Sequence, residues 1–92
     1  MIVSFASKET EQLASGQRVK QFISFERIAQ RKLRQLQIAD CLQDLRIPPG
    51  NHLEKLGGDR NGFWSIRIND QYRVCFRWTN TGPAEVEIVD YH

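Results

Sequence analysis

Arginines offer most of the chemistry in this chain. Nine of its 13 basic residues are Arg, set against 11 acids for a net charge of +2. In Trp64-Ser65-Ile66-Arg67-Ile68 and in Tyr72-Arg73-Val74-Cys75-Phe76-Arg77-Trp78, apolar residues alternate with Ser65, Arg67, Arg73, Cys75 and Arg77. A period of two is that of a strand, so each segment has one apolar face and one arginine face. Keeping Ile68 and Tyr72 on one face, with Ile66 beside Val74, requires a three-residue connection at Asn69-Asp70-Gln71. That register sets Arg67 directly opposite Arg73. Like charges opposed across a ladder are disfavoured by up to about 1 kcal/mol, so an anion is expected beside them: an acid such as Asp70, or a phosphate. The last residues, Asp90-Tyr91-His92, arrive beside the same row. Arg, Tyr and His on one open face can hold a phosphate, stack a base and exchange a proton. Acidic neighbours at the chain end favour the imidazolium of His92, which can donate to a leaving oxygen.

Several elements must position these groups. Val86 and Ile88 alternate with Glu85 and Glu87 in a third strand. Pairing Trp78 with Val86 and Phe76 with Ile88 leaves Asn80 to Ala84 as a five-residue loop, with Arg77 facing Glu87 and Arg73 facing Tyr91. Upstream, Phe22, Phe25, Ala29, Leu33 and Leu36 recur at helical spacing, and Arg27, Arg31 and Arg34 repeat that spacing on another face. Six basic residues and one acid, Glu26, fall between Arg18 and Arg34. Such a face suits a phosphate-rich partner, the alternative being a solvated helix surface. Ile2, Val3 and Phe5 predict a short first strand, Ser7 with Thr10 and Glu11 a short helix through Leu13, and Asp40 to Arg46 a further turn before Pro48-Pro49. Helices followed by an antiparallel meander make an α+β domain. Trp64, Phe76 and Trp78 read as core anchors, whereas Phe63 shares the parity of Ser65 and Arg67 and offers an exposed ring. His52, in the Pro-Gly loop, reads as an exposed polar residue. Gly57-Gly58-Asp59-Arg60-Asn61-Gly62 is not a P-loop, because no Lys-Ser/Thr pair ends it and a strand follows.

Ninety-two residues, 1–92, are a single domain, thin enough that a buried cofactor cleft is not expected. Cys41 and Cys75 belong to no paired or His-spaced motif, so neither zinc nor a disulfide is expected, and no cofactor. The longest apolar runs are three residues, too short for a membrane span or a secretory signal; the expected location is the cytoplasm.

The stretch Gly58-Asp59-Arg60-Asn61-Gly62-Phe63-Trp64-Ser65-Ile66, with Arg73 and the terminal Asp90-Tyr91-His92, resembles the HigB toxins, members of the RelE-like superfamily within type II toxin-antitoxin systems. Met1-Ile2 with Ser4-Phe5 and the total length also fit, so the likeness covers the whole chain. The resemblance implies a RelE-like fold, with an N-terminal strand and helices packed on one face of a C-terminal antiparallel sheet. It implies a metal-independent endoribonuclease that cuts messenger RNA in the ribosomal A site. A cognate antitoxin, a helix-turn-helix DNA-binding HigA-like protein, would neutralise it. The implied reaction is attack of a ribose 2′-hydroxyl on the adjacent phosphate, leaving a 2′,3′-cyclic phosphate and a 5′-hydroxyl. In that scheme Arg73 stabilises the phosphorane, His92 transfers the proton, Tyr91 positions or stacks, and Asp90 orients. Arg67, Arg60, Lys55, His52 and Phe63 would bind RNA and the small ribosomal subunit would be a partner; Arg27, Arg31 and Arg34, by their charge, are expected to dock on ribosomal RNA. Some family members carry a histidine and a lysine before Gly-Asp-Arg; here the same register holds Glu54 and Gly57, with His52 and Lys55 nearest. The general base is then open between the substitutes His52 and Lys55, Glu54 itself, or no residue, the hydroxyl being activated by positioning. The rival reading is a non-catalytic RNA- or ribosome-binding domain that blocks translation by occupancy.

Overall fold

In the computed structural model, which describes residues 1–91, the alternating segments form one antiparallel sheet. Its strands are Glu54–Lys55 (β1), Phe63–Arg67 (β2), Tyr72–Thr79 (β3) and Gly82–Asp90 (β4), in the spatial order β1-β2-β3-β4. Two helices, Lys8–Ala14 (α1) and Glu26–Ile38 (α2), cover one face, which makes the domain α+β as expected. Ser7 starts α1: its Oγ accepts from the Thr10 N–H at 3.1 Å. Seven residues make too short a helix to stand alone. It is held instead by fully buried Leu13 and by Thr10, whose Oγ1 accepts from the Ile88 N–H of β4 at 3.0 Å. The expected stripe of α2 is split in two. Phe22 and Phe25 belong to a 3₁₀ segment, Lys20–Phe25, and only Ala29, Leu33 and Leu36 sit on the α-helix proper. Phe25 stacks on Tyr72 with ring centroids 4.4 Å apart. A second 3₁₀ turn, Leu42–Arg46, stands where a helical turn was expected. Its Asp44 carboxylate accepts from the Asp40 and Cys41 N–H groups, which holds its pKa below the usual carboxylate range. The core joins Leu13, Phe22, Leu33 and Leu36 to Ile66, Val74, Phe76 and Val86; Trp64 and Trp78 pack at its margin.

Two expectations are corrected. The first concerns the opening strand, which reduces to a single parallel bridge between Phe5 and Val86. The chain does run along β4, with Val3 N–H donating to the Pro83 carbonyl and Ala6 N–H to the Val86 carbonyl. Pro83 has no N–H to return, so the ladder is interrupted. The second concerns the β3–β4 register. Thr79 pairs with Gly82 across a two-residue Asn80–Thr81 turn, Arg77 pairs with Ala84 and not Glu87, and Arg73 pairs with Val89 and not Tyr91. Beyond a register shift between Cys75 and Arg77, Val74 pairs with Ile88. The shift is a bulge on β4, where Glu85 adopts a positive φ of 52°. Alternation cannot reveal an inserted residue, and Gly82-Pro83, read as loop, lies inside the strand. Strand β1 was not among the expected elements, because a two-residue edge strand is too short to show any period.

Candidate active site

Strand parity assembles the site on the sheet face away from the helices. Arg67 pairs with Arg73, Ser65 with Cys75 and Phe63 with Arg77, as the three-residue connection requires. Beyond β2, Glu54 of β1 pairs with Ser65, so a carboxylate joins the same face. The opposed arginines are compensated separately. Arg67 pairs with Asp70 and donates to the Asn69 carbonyl at 3.3 Å. Arg73 donates from Nη2 to Glu54 Oε1 at 3.0 Å, and from Nη1 to Ser65 Oγ at 3.2 Å and to the His52 carbonyl at 3.4 Å. Its guanidinium carbon stands 5.1 Å from the centroid of the Tyr91 ring, a cation–π contact that register alone does not require. The Arg73 side chain is only 15% exposed and so is not the solvent-facing group that parity predicts. The unforeseen edge strand and the loop preceding it provide the cover.

Beneath Arg73 the floor is Ser65 and Cys75, both buried. Burial pushes the Cys75 thiol pKa up; Arg60 and Arg73 oppose this rise and Glu87 adds to it. Arg60 comes from the 3₁₀ turn Gly58–Arg60, and its guanidinium lies 5.0 Å from the Phe63 ring centroid. The face therefore offers fixed cations for a phosphate, a carboxylate able to take a proton, and aromatic rings against which a base can stack.

Not every expected site residue joins this cluster. Lys55 pairs with Trp64 and so takes the opposite parity from Glu54. His52 contributes its carbonyl oxygen to Arg73 from a left-handed backbone, φ 46°. Asp90 pairs with Tyr72, opposite in parity to Arg73, and its Oδ2 accepts from Gln71 Nε2 at 3.0 Å. Tyr91 is tied down by its N–H, which donates to the Gln71 carbonyl at 2.6 Å. Arg27, Arg31 and Arg34 are exposed on the helix-covered side and line a groove with Ile2, Phe5 and Ile38. His92 lies outside the described residues. Residue typing passed over Ser65 and Cys75, although their shared parity with Arg67 and Arg73 was a usable signal.

A family model described as the RelE-like toxin of type II toxin-antitoxin system HigB matches residues 4–92. Toxin HigB-1 of Vibrio cholerae serotype O1 (strain ATCC 39315 / El Tor Inaba N16961) is 42% identical over 94 residues, spanning 100% of this chain and 98% of that protein. The chain belongs to the HigB family of RelE-like toxins. Membership bears out the resemblance carried by the Gly-Asp-Arg segment and makes this a toxin of type II systems, for which a cognate antitoxin is implied. Two further relatives of this HigB-family toxin match shorter stretches. A protein of Proteus vulgaris named Endoribonuclease HigB is 38% identical over 40 residues, 44% of each chain. An uncharacterized protein of Haemophilus influenzae is 41% identical over 54 residues, 59% of this chain and 54% of its own. Among the described residues, no helix is long and apolar enough to cross a membrane.

Proposed function

We propose that this toxin is an endoribonuclease that cuts messenger RNA in the ribosomal A site, using its own side chains. The observation that supports it is the surround of Arg73: a fork of donors with a carboxylate at 3.0 Å and an aromatic ring at 5.1 Å, all on the sheet face away from the helices. A scissile phosphate seats against Arg73 and Arg60, sharing or displacing the hold of Glu54 on Arg73. The released Glu54 carboxylate takes the proton of the 2′-hydroxyl, and the 2′-oxygen bonds to phosphorus. Negative charge grows on the phosphorane oxygens, where the fixed guanidinium stabilises it. The bond from phosphorus to O5′ breaks, and O5′ takes a proton from His92, leaving a 2′,3′-cyclic phosphate and a 5′-hydroxyl. Tyr91 and Phe63 stack the flanking bases. The antitoxin is a HigA-like protein that binds DNA through a helix-turn-helix.

Brief expression followed by mapping of RNA 5′ ends tests this reading. New 5′-hydroxyl ends inside coding regions are expected; stalled but intact messages would instead establish a toxin that acts by occupancy.

A further inference from the structure

The loop that grips Arg73 is anchored in the protein core by a polar contact outside the site. Asn51 is fully buried at the end of the 3₁₀ turn Pro49–Asn51. Its Oδ1 accepts from Lys32 Nζ of α2 at 2.6 Å, and its Nδ2 donates to Gln35 Oε1 at 2.8 Å and to the Leu45 carbonyl at 3.1 Å. Two side chains one helical turn apart on α2 thus clamp a single amide. Lys32 is itself buried, and no acid stands within ion-pair reach of it among the described residues. Burial, and secondarily Arg31, lower its pKa, so keeping an amine there is costly and a Leu or Met would pack more cheaply. Immediately after Asn51 come the two groups that hold Arg73 from this side: the His52 carbonyl and, two residues later, Glu54. The contact therefore runs from α2, through Asn51, to the partners of the guanidinium on the opposite face of the sheet.

We propose that Lys32 and Asn51 form a positioning unit that sets the place of Arg73 through the His52 carbonyl and Glu54. Its effect on cleavage rests on the nuclease reading above, but its effect on Arg73 does not. The test uses the full-length protein with two readouts. One is the Nε–H signal of Arg73 in a ¹H–¹⁵N spectrum, and the other is single-turnover cleavage on programmed ribosomes. Lys32→Met should shift the Arg73 signal and slow cleavage by about 10- to 100-fold, the scale of a small misplacement of a reacting group. Affinity for ribosomes carrying a 2′-deoxy, uncleavable codon should stay at the parental value. Lys32→Gln keeps a donor for Asn51 Oδ1 and should return most of the rate. If Lys32→Met does not fold, Gln35→Ala decides at a half-exposed position, where the same signal should move and the rate fall by a smaller factor. An unmoved Arg73 signal in a folded Lys32→Met protein, or in Gln35→Ala when that variant decides, overturns the proposal. So does a slower rate explained wholly by weaker ribosome binding. If the parent protein leaves ribosome-bound message intact, the nuclease reading fails, and the Arg73 signal alone decides whether the unit positions it.

Discussion

Truncating Arg73 to Ala removes one cation from an opposed pair, which by itself relieves repulsion. The same change strips donors from Ser65 Oγ and from Glu54, groups that a mostly covered side chain now satisfies. The second effect is the larger, since hydrogen bonds from charged groups are worth about 1.5–3 kcal/mol, whereas the repulsion amounts to about 1 kcal/mol at most. Arg73→Ala is therefore expected to lose about 1–2 kcal/mol in urea unfolding. Its cleavage should fall by roughly 10²- to 10³-fold, as when one preorganised donor to a developing charge is lost. A folded variant that cleaves at the parental rate removes Arg73 from the proposed site. His92 presents the opposite balance. The proposed role of His92 is chemical alone, so His92→Gln should leave the melting temperature unmoved. If that imidazole protonates O5′, single-turnover cleavage drops by about two to four orders of magnitude, because Gln cannot become a cation. Parental cleavage by this variant assigns the proton to another source.

Helix α2 serves three surroundings at once. Ala29, Leu33 and Leu36 face the core, Lys32 and Gln35 hold Asn51, and Arg27, Arg31 and Arg34 line the outer groove. The proposed nuclease site lies on the other side of the sheet, so those arginines are out of reach of the scissile phosphate. Their expected partner is ribosomal RNA, because three exposed cations on one helix face neutralise backbone phosphates without reading sequence. Replacing all three with Ala should weaken ribosome association and flatten its dependence on log salt by about 2 units. An unchanged slope over a salt series would leave the helix as a solvated face.

At the scale of the whole molecule, the N-terminal segment lies alongside β4. The N-terminal segment runs along the strand's outer edge, and Thr10 of α1 satisfies Ile88 further along, so an edge that would otherwise invite pairing with another chain is covered. Gly82 makes the first approach possible. Its φ is 133°, and a Cβ there would overlap the Met1 carbonyl. Gly82→Ala combines backbone strain with displacement of the N-terminal segment and should cost about 2–3 kcal/mol. The expected result is a lower urea midpoint and faster amide exchange at Val86, whose N–H donates to the Ser4 carbonyl. Unchanged exchange at Val86 would mean that the segment is held independently of Gly82.

Some of this architecture is local and was legible in the residues. The alternation of Trp64 to Trp78 and a short Asn69-Asp70-Gln71 connection leave one register that keeps the apolar faces together, and it sets Arg67 against Arg73. Ser7 before Thr10 announces the start of α1, and the spacing of Ala29, Leu33 and Leu36 announces the buried side of α2. The Gly-Asp-Arg segment and the Asp-Tyr-His ending carried the family resemblance. What only the tertiary structure decided depends on groups distant in the chain or on irregularities without a period. The bulge at Glu85 moved every later β4 pairing by one residue, which no alternation records. The two-residue β1 strand has no pattern of its own, yet it brings Glu54 onto Arg73, 19 positions away. Lys32 and Asn51 look like ordinary surface residues in sequence, and only the packing of α2 against the proline-rich loop buries both and makes them partners. Periodicity reports which face of an element is apolar; which polar groups meet across elements is settled by three-dimensional packing.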